Sequence, residues 1–157
     1  MSNNRILTDT QHALLVATLN RLIPAEGDAP AAGSVGAAEA IEDEAAGSPS
    51  GRRGLVDGVN AIDLAAWRML DRDFVDLDAA AQDDVLRAVE ADQSAFFGFL
   101  VGRTYRAYYT NPAVLAALGI ASRPPQPLGY TLPPFDPSLL ARVRERGPIY
   151  RRIGDEE

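Results

Sequence analysis

FFGFLVGRTYRAYY, residues 96–109, is the stretch that decides the fold of this protein. Its apolar and aromatic residues recur every three or four positions, which predicts an amphipathic helix with one buried face. The residues predicted for that face are Phe97, Val101, Thr104, Tyr105 and Tyr108, with Phe96, Phe99, Leu100 and Tyr109 widening it. Gly98 and Gly102 leave another side of the helix bare, so that a second backbone is able to approach it closely. We therefore expect residues 96–109 to form the central helix.

Four helices are predicted before this one, over residues 9–23, 34–45, 55–71 and 79–91. Thr8 with Gln11 forms a capping-box pattern at the start of the first helix, and Pro24 ends it. Ser34 and Asp78 are the predicted N-caps of the second and fourth helices. Residues 47–51, GSPSG, are expected to separate the second helix from the third, whose buried face includes Leu70.

The part of the chain after residue 109 changes character. Asn111 followed by Pro112 predicts a short helix over residues 113–118, which Gly119 can end. Closely spaced prolines then hold much of the chain extended, apart from one short helix that Asp136 is predicted to cap. The fold class is therefore all-α: a compact bundle of about five to six helices with a long, extended, proline-rich C-terminal tail. We divide it into a helical domain, 1–121, and a tail, 122–157.

The tail is too apolar for a free extension, so it is expected to pack on the bundle, on a partner, or on both. Tyrosine, phenylalanine and arginine are enriched at protein interfaces. All fifteen basic residues of the chain are arginines. The residues predicted for a partner interface are Tyr109, Tyr130, Phe135, Arg142, Arg146, Tyr150 and Arg151.

Composition excludes several classes of function. The chain has no cysteine, which rules out disulfides, thiolate metal sites and cysteine nucleophiles. A formal net charge of -7 argues against binding to nucleic acid or to an anionic membrane surface. No run approaches the roughly 18 apolar residues that would predict insertion into a membrane. The N-terminal residues show no secretory signal, and Arg52 and Arg53 are interpreted as helix-surface charge, so a cytoplasmic location is expected.

No catalytic, cofactor-binding or metal-ligating residues are predicted. His12 is the only histidine, and its place at the polar border of the first helix favours a surface or capping role. Glu42, Asp43 and Glu44 are consecutive, so a helix directs their carboxylates apart. No glycine-rich segment follows a predicted strand, as a phosphate-binding loop would. Any flavin, haem or nicotinamide that this protein uses is therefore expected on a partner.

Three stretches together resemble the gluconate 2-dehydrogenase subunit 3 family, the small subunit of flavin-dependent sugar and alcohol dehydrogenases. They are residues 22–41, with Leu22-Ile23-Pro24 and an acidic turn; residues 77–86; and residues 96–119, with Tyr108-Tyr109 and Asn111-Pro112. The resemblance implies a large partner of the glucose-methanol-choline (GMC) oxidoreductase type that binds FAD and oxidises a sugar or related alcohol. Many relatives carry a twin-arginine signal, and the N-terminal residues show none.

The main hypothesis is thus a non-catalytic small subunit that binds and stabilises, or matures, such a flavoprotein. Two alternatives stay open. One is a free-standing helical adaptor or chaperone with no dedicated flavoprotein partner. The other is a cofactor-independent enzyme that uses carboxylates and tyrosines.

Overall fold

A computed structural model describes residues 5–120 and 133–147, which belong to two separate units. Residues 5–120 are mainly α-helical, residues 133–147 combine a 3-10 turn with a short α-helix, and neither stretch contains a β-strand; residues 26 and 29 form an isolated bridge. The predicted all-α class is confirmed. The proposed domain boundary near residue 121 lies outside the described residues and stays a prediction.

The first unit consists of six α-helices joined by short loops and two 3-10 turns. The α-helices are α1 (Asp9–Leu22), α2 (Ala37–Ala46), α3 (Pro49–Leu70), α4 (Ala79–Asp92), α5 (Ser94–Tyr109) and α6 (Pro112–Ala117). The 3-10 turns are Ala32–Ser34 and Phe74–Asp76. The second unit contains a 3-10 turn, Pro137–Leu140, that leads directly into α7, Ala141–Arg146.

Most helix starts lie where the side-chain caps predict them. The capping box is present at α1, where the Thr8 hydroxyl accepts from the Gln11 amide at 3.3 Å and Gln11 Oε1 accepts from the Thr8 amide at 3.0 Å. Asp78 caps α4 and Asn111 caps α6, each accepting a backbone N–H at 2.9 Å. Asp136 likewise accepts from the Ser138 amide at the start of the second unit's helical segment. These side chains satisfy amide groups that have no partner within the first helical turn.

Two predicted helix starts are wrong. Ser34 does not cap α2, because it lies in the 3-10 turn that precedes it; the N-cap is Gly36, whose φ of 78° lies in the left-handed region that favours glycine. Residues 47–51 were predicted to separate α2 from α3, but α3 begins within this segment. Ser48 accepts the Gly51 amide and Pro49 occupies the first turn, a position where a missing N–H has no consequence.

The core of the first unit is drawn from helices α1 to α6 and the turn at Phe74. Its largest fully buried apolar side chains are Leu15, Leu19, Ile41, Leu55, Val59, Ile62, Phe74, Val85, Leu100 and Val114. Burial of one such side chain contributes about 1.5–3 kcal/mol. Helix α5 packs against α1, α2, α3, α4 and α6, which confirms its predicted central position.

The rotational setting of α5 differs from the predicted one. Its buried face consists of Phe97, Leu100, Thr104 and Tyr108, so Leu100, which was predicted only to widen the face, lies at its centre, and Tyr105 does not belong to it. Tyr105 is instead 48% exposed. These buried residues follow the i, i+3, i+7, i+11 spacing of an α-helix, and Tyr105 lies at the border of the row that they form. Leu70 is also 43% exposed rather than buried, because it is the last residue of α3.

A bidentate ion pair joins α1 to α4. Arg21 Nε and Nη2 donate to the two carboxylate oxygens of Asp83 at 2.8 and 2.9 Å. The hydrogen bonds from Arg21 lower the pKa of the Asp83 carboxyl below its ordinary value, since they favour the charged form. Two parallel hydrogen bonds also fix the relative orientation of the two helices.

We expect the substitution Asp83→Asn to lower the free energy of unfolding by about 1 kcal/mol at pH 7. Because the pKa of Asp83 is lower in the folded state, the ion pair stabilises the protein fully at pH values above the unfolded carboxyl pKa of about 3.9. This stabilisation disappears as the pH falls through the pKa of Asp83 in the folded state. Urea unfolding at pH 7 and at acidic pH measures the loss of stability and its dependence on pH. Asp84→Asn is the control, since the Asp84–Arg87 pair is largely exposed within one helix. A difference that persists in strong acid would contradict the electrostatic explanation.

Candidate docking surface

The side of α5 turned away from the core forms a continuous exposed surface. Its residues are Gly98, Phe99, Gly102, Tyr105, Arg106 and Tyr109, which we call the outward face of α5. Positions 98, 102, 105 and 109 follow one another at helical spacing, so their groups share one side of the helix. The position of this face is set by the buried stripe, which occupies the opposite side.

The aromatic rings on this face form an ordered cluster. Tyr105 and Tyr109 are stacked, with ring centroids 5.9 Å apart and an angle of 5° between their planes. Tyr109 also meets the buried Tyr108 edge to face, with centroids 5.1 Å apart. Tyr108 donates its hydroxyl to the Pro30 carbonyl oxygen at 2.8 Å, and burial raises the pKa of its phenol. The exposed Tyr105–Tyr109 pair therefore packs against the Tyr108 ring, which its hydrogen bond holds in place.

Two arginines of α5 lie on the side of the helix that faces α2, where both contact Glu44. The Arg103 guanidinium lies 5.2 Å from the centroid of the Phe99 ring and pairs with Glu44 at 2.9 Å. Arg106 lies 3.7 Å from the other Glu44 oxygen, beyond hydrogen-bond distance. These side chains line a groove of about 350 Å³ between α2 and α5. The arrangement offers guanidinium donors next to aromatic rings, as interfaces commonly do.

Gly98 and Gly102 are not explained by packing in the described part of the chain. A Cβ atom added to either glycine meets no atom within 4 Å, so no described element approaches them. The bare side predicted from the sequence exists, but no described element occupies it. The close contact forms instead at Gly58 of α3, whose missing Cβ makes room for the Phe96 ring.

The predicted interface residues fall into three groups. Tyr109 lies on the outward face of α5 and is 48% exposed. Phe135, Arg142 and Arg146 belong to the second unit and are exposed there. The remaining three, Tyr130, Tyr150 and Arg151, lie outside the described residues. The sequence-based prediction missed Phe99, Tyr105 and Arg106 as surface residues; the correct phase of the α5 stripe would have found them.

His12 is not a surface or capping residue, as its position had suggested. Its ring is 14% exposed and bonds through Nδ1 to Glu42 Oε1 at 2.5 Å. The other Glu42 oxygen accepts the amides of Ile6 and Leu7, both at 3.2 Å. Glu44 points instead to Arg103, so the predicted divergence of the consecutive carboxylates is confirmed. The His12–Glu42 pair thus joins α1, α2 and the N-terminal segment.

Metal-type clusters and membrane-spanning helices are both missing from the part of the chain that the structure describes. Over residues 5–120 and 133–147, no three histidine, cysteine, aspartate or glutamate side chains come together as a metal site. None of the helices in these two stretches has the length and apolar character that a membrane crossing requires. Exposed large apolar side chains lie on the outward face of α5 and also towards the end of α3 and in the turn after it, where they are Leu64, Trp67, Met69, Leu70 and Val75.

Comparison with protein families gives a match that covers all six helices of the first unit. The family model described as gluconate 2-dehydrogenase subunit 3 matches residues 9–121. The chain belongs to the gluconate 2-dehydrogenase subunit 3 family. The family is named for a subunit of a dehydrogenase complex, which agrees with an accessory role. No curated protein sequence and no solved structure matches the chain.

Proposed function

We propose that this protein is the non-catalytic small subunit of a larger FAD-dependent oxidoreductase of the GMC type, which acts on a sugar, a glycoside or a sugar acid. The observation that carries the proposal is the family match over residues 9–121, which spans α1 to α6. The exposed aromatic and arginine groups on α5 support it, because they suit protein binding. The role of this chain is to bind and stabilise, or mature, the catalytic subunit.

Flavin chemistry is assigned to the partner. The helical fold described over residues 5–120 offers no strand-turn-helix phosphate cradle of the kind that binds the FAD pyrophosphate. The partner would hold FAD and carry out the oxidation, while this chain supplies contact surface. The C-terminal tail, with Tyr130, Phe135, Arg142, Arg146, Tyr150 and Arg151, is proposed as part of that surface alongside Tyr109.

The proposal is tested by a pull-down with the tagged chain from the cells that produce it, followed by an absorption spectrum of the eluate. We expect one flavoprotein to co-purify in a fixed ratio and to give the eluate a flavin absorption spectrum. The isolated chain should give no turnover with sugars and an electron acceptor. Recovery of several unrelated proteins without a flavoprotein would favour the adaptor, and turnover by the flavin-free chain would favour an enzyme.

A further inference from the structure

We infer that the outward face of α5 is the surface on which the catalytic subunit docks, through contact with its aromatic rings and through a carboxylate that faces Arg106. This inference rests on the proposed function, because the occupant is the flavoprotein subunit. It adds the place of contact and the chemistry that the partner must present there.

The first argument is the concentration of exposed aromatic side chains on one helix face. Single exposed apolar residues are normal on a protein surface, but clustered ones mark interaction sites. Phe99, Tyr105 and Tyr109 are all exposed on α5, and two of them are stacked. Stacking on a helix anchored by Tyr108 holds these rings in place before binding, so little side-chain freedom is lost on docking.

The second argument is charge. Helix α5 carries Arg103 and Arg106 and no acidic residue, although the chain as a whole has a net charge of -7. Arg106 is largely exposed, and its 3.7 Å contact with Glu44 is an ion pair without a hydrogen bond. Its guanidinium therefore has N–H groups directed to the surface, where a carboxylate of the partner can accept them in pairs. A cationic helix on an acidic protein selects an acidic partner surface.

The third argument is the pair of helix glycines. A glycine inside a helix costs about 1 kcal/mol relative to alanine. The atoms described around Gly98 and Gly102 leave room for a larger side chain, so packing within the first unit does not require glycine. At a docking surface their bare backbone lets a segment of the partner lie directly against the helix beside Tyr105 and Tyr109.

The experiment compares Gly102→Leu with Gly54→Leu in the complete chain. Both glycines are exposed in helices and have open space at the Cβ position, so both variants should fold and unfold at temperatures no lower than the wild type. We expect Gly102→Leu to weaken binding to the purified flavoprotein by at least about 100-fold, as for loss of an interface centre. Gly54→Leu should bind within twofold of wild type. Arg106→Glu should weaken binding and reduce its dependence on salt.

The outcomes separate this inference from the proposed function. If wild type binds the flavoprotein and Gly102→Leu binds it equally well, the α5 surface is wrong while the subunit role stands. If wild type does not bind, the subunit role fails. Self-association of the isolated chain that Gly102→Leu abolishes would identify a second copy as the occupant, and it would overturn docking of the flavoprotein at this face.

Discussion

Glu42→Ala is expected to lower the free energy of unfolding by about 1–3 kcal/mol, the cost of leaving buried hydrogen-bond donors without their acceptor. Glu42 is 3% exposed, and its carboxylate serves three groups: the Ile6 amide, the Leu7 amide and His12 Nδ1. Alanine would leave all three without their acceptor in a protected site, and an unsatisfied buried donor costs about 1–3 kcal/mol. The N-terminal segment and α1 would both loosen from α2.

Urea unfolding followed by circular dichroism measures this loss of stability. An unchanged slope of the unfolding free energy against urea concentration would show that the same amount of surface is exposed in the transition. Asp43→Ala is the matched control, because it removes a carboxylate from the adjacent, exposed position of α2. Its effect should stay within about 0.5 kcal/mol. If the two alanine variants were equally stable, the Glu42 carboxylate would have no structural role.

Deletion of residues 122–157 is expected to abolish co-purification with the flavoprotein. The deleted segment contains most of the aromatic and arginine residues predicted for the interface, including Tyr130, Tyr150 and Arg151. An obligate complex typically buries more than about 2,000 Å², and the loss of an extended segment removes many contacts at once. The described hydrophobic cluster lies between Leu7 and Val114, so the truncated chain retains these core residues.

Co-purification through a tag on the flavoprotein measures the effect, and circular dichroism establishes that the truncated chain remains helical. Deletion of residues 154–157 alone is the control, because GDEE contains no aromatic or arginine residue. Wild-type binding by the long deletion would remove the tail from the interface. It would not touch the inference about α5, which the Gly102→Leu comparison tests separately.

Local sequence signals predicted most of the first unit. Caps such as Thr8 and Asp78 act within one helical turn, so they can be identified without knowledge of the tertiary structure. Ser34 failed as a cap because a 3-10 turn and the left-handed Gly36 compete for the same stretch. A serine is equally compatible with both arrangements, and packing against α1 decides between them.

The His12–Glu42 pair and the outward face of α5 were harder to predict. The first depends on residues far apart in the sequence, and the second on how the helix is rotated about its axis. His12 and Glu42 are 30 residues apart, and no periodicity in either helix indicates that they meet. On α5, aromatic residues occupy both faces, so composition alone did not distinguish the buried Tyr108 from the exposed Tyr105. Only the packing of Leu100 and Thr104 fixes which side faces outward.

The exposed glycines of α5 also affect how long a chain that is not bound to a partner survives in the cell. Each of these glycines costs about 1 kcal/mol relative to alanine, so the chain unfolds more often than it would with alanine there, and unfolded chains are the ones that proteases cleave. A partner that binds the folded form suppresses that opening by mass action. If the chain docks on a catalytic subunit as proposed, copies made in excess of that subunit would unfold and be cleaved more often than bound copies, so their amount would follow that of the partner.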